Sequence, residues 1–166
     1  MEQREMPGDA VMTRIGQAAI LLHAGDREEA RNRFGIIWSE IGERGAALHR
    51  CTLAHYMAGT QDDPGDELAW DLRALAAAEC LTGGVVPNPG TEGEHRDAAA
   101  VRALVPSLHL SLAADYLELQ RFEAARTHLD RAWDAVGLLE GDGYGEDVRA
   151  AIGRMEQRLR GSAPGE

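Results

Sequence analysis

The chain contains no lysine: all 17 of its basic residues are arginine. That excludes mechanisms that depend on a lysine amine, such as Schiff-base chemistry or a phosphate-binding P-loop. The absence reads as the coding bias of a GC-rich bacterial genome. Cysteine is nearly as scarce, with Cys51 and Cys80 alone. Two cysteines build no disulfide scaffold, their spacing fits no metal motif, and both fall in apolar helical patterns that predict buried free thiols. Aromatic residues make up 5% of the chain. No apolar run approaches the roughly 20 residues that span a bilayer. Met1 to Asp9 carries no apolar stretch of signal-peptide length, so a cytoplasmic location is the expectation.

Positive charge is also short. Acidic residues number 28, and the formal net charge is −11. An acidic surface repels phosphate backbones and anionic lipid, which disfavours nucleic-acid and membrane partners. The longest basic cluster, Arg154 to Arg160, is interrupted by Glu156. No serine sits in a nucleophile elbow, no glycine run forms a phosphate cradle, and no CxxC occurs. No catalytic residue and no cofactor is implied.

What is present is helix-forming. At 166 residues the chain suits one domain, and its 44% hydrophobic content supplies a core. Alanine, leucine, arginine and glutamate dominate, and no segment alternates with the period of a strand. The pattern predicts an all-α chain. Residues 1–8 read as a disordered head. A first helix runs from Asp9 to about His23, with Val11, Ile15, Ala18, Ala19 and Leu22 on its stripe. Gly25 breaks the chain, and Asp26 caps a second helix that carries Ala30, Phe34, Ile37, Trp38 and Ile41. A third spans about Ala46 to Ala58. Asp63-Pro64-Gly65-Asp66 opens a fourth, with Leu68, Ala69, Leu72, Leu75, Ala76 and Cys80 as its apolar residues.

Residues 83–95, rich in glycine and proline, read as one long loop. Arg96 to Leu104 reads as a short helical stretch. Pro106 then opens the next helix, which runs to about Leu119, or kinks a longer one. Another follows from about Arg121 to Leu138. Gly141, Gly143 and Gly145 form a loop around Tyr144. A last helix at about 146–160 aligns Val148, Ile152, Met155 and Leu159, and residues 161–166 read as a disordered tail. Trp38, Trp70 and Trp133 fall on helical stripes, which favours the core over a ligand platform.

The segment Leu108 to Tyr116 repeats Leu, His, Ala and Tyr at the offsets they hold in Leu48 to Tyr56. Each is followed by a second amphipathic helix, and recurring helix pairs mark a stacked array. Leu112-Ala113, Tyr116, Phe122, Ala125, Leu129 and Ala132 resemble the tetratricopeptide consensus. Ala18, Leu21, Gly25, Ala30 and Phe34 resemble it more weakly. Leu53, Tyr56 and Ala69 match with about four extra residues in the turn. Leu48 to Leu75 also resembles tetratricopeptide-like proteins of GC-rich bacteria. In such pairs, small residues such as Ala18, Ala30, Ala113 and Ala125 let two helices approach closely. Large ones such as Phe34 and Tyr116 fill the gap to the next pair.

The resemblance implies a right-handed superhelix of about three helix pairs over residues 9–160, closed by the last helix as a cap. It also implies a concave groove that binds a protein or peptide. Carried over, the groove residues are Met12, Ile15, Leu22, Arg50, Met57, Leu110 and Leu117. Arg50 would clamp a carboxylate of the ligand or pair with a neighbouring acid. The groove would take a partner, the chain's own loop or terminal helix, or a second copy in a homodimer. The leading expectation is a non-enzymatic adaptor or regulator. A rival is a small enzyme or a metal- or small-molecule-binding protein using the polar stretch His49 to Asp66, with His49, His55 and Asp62 as candidate ligands. His49 and His55 are six apart, however, which puts them on different sides of a helix.

Overall fold

A computed structural model of the chain describes residues 8–82, 92–137 and 143–162. The described residues form seven helices and no strand: α1 (Gly8–His23), α2 (Arg27–Ile41), α3 (Ala47–Ala58), α4 (Pro64–Thr82), α5 (Glu92–Glu118), α6 (Phe122–Gly137) and α7 (Gly143–Ser162). None of them is long and apolar enough to cross a membrane.

The local chemistry that predicts the ends is visible in the structure. The Asp26 carboxylate accepts from the Glu29 amide at the start of α2 (3.3 Å), with Glu28 and Glu29 in the first turn. Helix α1 ends in a Schellman turn: Gly25 N–H donates to the Leu22 carbonyl (3.1 Å) and Asp26 N–H to that of Leu21 (2.9 Å). Gly25 takes φ +96° there, which glycine adopts without strain.

Several boundaries differ from the sequence reading. Helix α5 begins at Glu92, so residues 92–95 of the expected loop and the stretch Arg96–Leu104 belong to one helix with Pro106 inside it. Proline offers no N–H to the Arg102 carbonyl, yet helical geometry continues on both sides. Gly8 already belongs to α1. Gly143, Tyr144 and Gly145 form the first turn of α7, which runs on through 161–162. The remainder of the expected head, long loop, glycine loop and tail lies outside the described residues.

Chain neighbours pack as antiparallel partners, α1 with α2, α3 with α4 and α5 with α6, and each pair meets the next through α2·α3, α4·α5 and α6·α7. In addition α1 touches α3, α3 touches α5, and α5 touches α7, whereas among the described residues the backbones of α2, α4 and α6 stay apart, with α2 meeting α4 through the side chains of Trp38 and Trp70. The odd helices thus run side by side in series, with the even ones behind them.

Three apolar clusters fill the interior. The first joins Val11, Ile15, Ala18 and Ala30 to Phe34, Ile37 and Leu53. The second gathers Cys51, Ala54, Ala74, Ala77, Ala78, Val101 and Leu108. The third packs Ala113, Ala125, Leu129 and Ala132 against Val148, Ile152, Met155 and Leu159 of α7. The small residues singled out from sequence lie in the interior: Ala18, Ala30 and Ala113 are fully buried, and Ala125 is 2% exposed. Tyr56 stacks on Phe34 across the first two pairs (5.7 Å between centroids), and Trp38 meets Trp70 edge-on at 5.1 Å.

Three expectations about burial need correction. Trp133 is 54% exposed, because the buried stripe of α6 runs through His128, Leu129, Ala132 and Val136 and leaves it to one side. Cys80 is exposed while Cys51 is buried. The largest correction concerns α4. Its inward stripe is Asp71, Ala74, Ala77 and Ala78, and Leu72 faces outward. Alanines permit close packing on both α3 and α5, and that packing carries an aspartate into the interior with them.

Candidate functional site

Asp71 is one turn N-terminal to Ala74, so the rotation that buries the alanines of α4 buries its carboxyl group too, to 1% exposure. Asp115 arrives the same way from α5, at the next inward position after Leu108 and Leu112, and is also 1% exposed. Glu67 lies one turn before Asp71 on the same face and is half-buried. Oxygens of Glu67, Asp71 and Asp115 lie within 4.8 Å of one another. From α3, His55 closes the group, with Nδ1 3.2 Å from Asp71 Oδ1.

No cation among the described residues balances this cluster. Arg27, the one arginine that favours a charged Glu67, is engaged elsewhere, donating to the Gln61 carbonyl (2.8 Å) and pairing with Asp62 (3.1 Å). Glu118 adds a further negative charge. Neither oxygen of Asp115 has a hydrogen-bond donor. Its near neighbours are carboxyl groups, and two carboxyls bond only through a shared proton.

Two bare carboxylates at such a separation repel by about 3–4 kcal/mol at an effective dielectric of about 20. Burial comes on top of that repulsion and is the largest cause of the shifts. The carboxyls of Glu67 and Asp71 are pushed up to about 7, and that of Asp115 to about 9. Burial also lowers His55, so its contact with Asp71 is a hydrogen bond of a neutral imidazole. The arrangement holds either protons or a cation, and it cannot stand empty and fully charged.

A second polar group lies one pair along. His109 and His128 bring their Nδ1 atoms to 3.0 Å, and Tyr116 stacks on His128 at 5.4 Å. Two imidazole nitrogens bond only when one carries hydrogen and the other does not. Burial lowers both rings, His109 to about 4, which keeps the pair neutral.

The residues singled out from sequence fall in different places. Ile15 and Met57 are buried in the first cluster and Leu117 in the third, so they carry core packing. Met12, Leu22 and Leu110 are half-buried at the margins of those clusters. Arg50 turns its Nε to the Gly45 carbonyl (2.8 Å), bridging the turn before α3. Of the candidate ligands, only His55 reaches the carboxyl cluster. Asp62 is exposed and pairs with Arg27 and Arg31, and His49, half-buried, stands outside the group. The missed residues are Glu67, Asp71 and Asp115. The available signal was an acid at helical spacing on an apolar stripe, Asp71 before Ala74 and Ala78, and Asp115 after Leu108 and Leu112.

Burial raises the Cys51 thiol to about 12, so it is no nucleophile at neutral pH. No family model, curated protein or solved structure matches the chain. The site is therefore read from its own geometry.

Proposed function

We propose that the chain is a non-enzymatic interaction module of the tetratricopeptide type, an adaptor or regulator that receives a protein or peptide along its odd-numbered helices. The observation that carries this reading is the serial contact of α1, α3, α5 and α7. A row of helices contributed one per pair sets side chains from several pairs along one surface, and a segment laid across it touches all of them. Residues at the margins of the clusters, Met12, Leu22 and Leu110, supply partly exposed apolar contacts on that row. The net charge of −11 favours a basic partner, chiefly through the rate of encounter. Location in the cytoplasm accords with this role.

The test is a random-peptide display panned against the full chain, followed by hydrogen-exchange footprinting of an enriched peptide. Enriched peptides should be net basic, and protection should fall on α1, α3 and α5. Protection confined to α2, α4 and α6 would overturn the reading. A metal-binding reading is favoured by one specific observation, the donorless Asp115, and it leads to the inference that follows.

A further inference from the structure

We propose that Glu67, Asp71 and Asp115 bind one divalent cation of the hard, oxygen-seeking kind, and that His55 positions Asp71 for it. The site joins two helix pairs, since Glu67 and Asp71 come from α4 and Asp115 from α5.

Four observations carry the inference. The first is spacing. Around a cation with oxygen ligands at about 2.1–2.4 Å, opposite ligands stand about 4.2–4.8 Å apart, and here all three carboxyls offer oxygens within 4.8 Å of one another.

The second is Asp115 itself. A side chain 1% exposed whose two oxygens find no donor is the arrangement that buried polar groups avoid. Both its helix and its neighbours aim it into the cluster. A cation supplies the missing partner for both oxygens at once.

The third is the contrast with the acids that have ordinary roles. Asp26 caps a helix, Glu40 pairs with Arg14, and Asp62 pairs with two arginines. Glu40 and Asp62 have arginine partners, whereas among the described residues no arginine pairs with this set.

The fourth is the support behind Asp71. A neutral imidazole that donates Nδ1–H to one carboxylate oxygen leaves the other free and fixes its direction, the usual outer partner of a metal-binding carboxylate. An all-carboxylate donor set selects Mn2+ or Ca2+ over the softer ions that prefer sulfur and nitrogen. Mg2+ gives up water reluctantly, and only the half-buried Glu67 side offers room for retained waters. A carboxyl must give up its proton to ligate a cation, so affinity rises with pH.

The test uses the full chain, stripped with chelator, dialysed, and titrated with Mn2+ alone at pH 8. Loss of the free-ion sextet in the electron paramagnetic resonance spectrum reports binding. The expected result is one Mn2+ per chain, a melting temperature that rises with the ion, and affinity at least ~10-fold weaker at pH 6. Glu67→Gln, at a half-exposed position that leaves the packing alone, should weaken binding by ~10-fold or more. Glu40→Gln, whose partner Arg14 lies outside the cluster, should leave binding within about 2-fold. Asp115→Asn is the second variant and should abolish binding while the helical circular dichroism remains. A free-ion signal that persists to millimolar Mn2+ in the folded parent would overturn the proposal, leaving a proton-sharing carboxyl cluster. So would a Glu67→Gln variant that binds as tightly as the parent.

Discussion

Asp71 on α4 and Asp115 on α5 bring carboxyl oxygens within 4.8 Å of each other while each side chain is only 1% exposed. Without a cation, that contact makes stability depend on pH in a particular direction. The folded-state values are raised above those of the unfolded chain, so the folded state holds more protons between them. Stability from this cluster is present at low pH and is lost as pH rises through about 7 to 9. His55, Glu67 and Glu118 face the same group, and only His55 offers it a donor.

Asp115→Asn removes a carboxyl that the fold must keep protonated where the unfolded chain has already released its proton, and it supplies an N–H. In chelator at pH 8 it should stabilise the chain by about 1–3 kcal/mol, the cost of one unsatisfied buried group. At pH 5 the gain should shrink toward zero. Denaturant midpoints at the two pH values check this. An equal effect at both would show that Asp115 does not titrate in this window.

Gln120 is the counterpart of Gly25. In the turn after α5, Gln120 N–H donates to the Leu117 carbonyl (3.0 Å) and Arg121 N–H to that of Tyr116 (2.8 Å), the same pair of bonds that Gly25 and Asp26 make after α1. Gln120 sits there at φ +59°, a conformation that costs an L-residue about 1–2 kcal/mol. Gln120→Gly relieves that strain and adds back about 0.4–1 kcal/mol of unfolded-state entropy. The net expectation is about 0.5–1 kcal/mol of added stability by chemical denaturation. The mirror substitution, Gly25→Ala, should destabilise by about the same amount or more.

These two turns also show what was legible in the sequence. The starts and stops of α1 to α4 were, because Asp26, Gly25 and Pro64 act locally and the stripes of α1 and α2 contain large aliphatic residues. The carboxyl site was not. On α4 the eye follows Leu68, Leu72 and Leu75, yet close packing on both sides selects the alanine face and takes Asp71 with it. Asp115 meets Asp71 only through tertiary packing of α4 on α5, which no periodicity within either segment encodes. Trp133 misleads for the same reason: being large and apolar, it reads as core, but its neighbour Ala132 holds the buried position.

The His109–His128 pair sets an opposite pH dependence. Its folded-state values lie below the ordinary imidazole value, so the unfolded chain takes up protons first as pH falls. The stability from this pair is present above about 6.5 and is lost as pH falls toward about 4. Replacing both rings, His109→Phe with His128→Phe, keeps planar groups against Tyr116 and removes the titration. The difference in unfolding free energy between pH 7 and pH 5 should be smaller in the double variant than in the parent. An unchanged difference would mean that the pair does not titrate as buried neutral imidazoles.

Ala125 tests the packing of the third pair. It is 2% exposed and shares a cluster with Ala113 and Leu117 of α5, so its methyl group sets how closely α6 approaches α5. Adding the rest of a leucine side chain there forces the two helices apart or drives neighbours off their rotamers. Ala125→Leu should cost about 1–3 kcal/mol. The adjacent Ala124 is only half-buried, and Ala124→Leu has somewhere to go; its effect should stay within about 0.5 kcal/mol. Thermal or denaturant unfolding of the two variants side by side gives the answer. A loss at 125 alone supports the close crossing of α5 and α6, whereas equal effects would place the contact face of α6 elsewhere and with it the inward direction of α5 that buries Asp115.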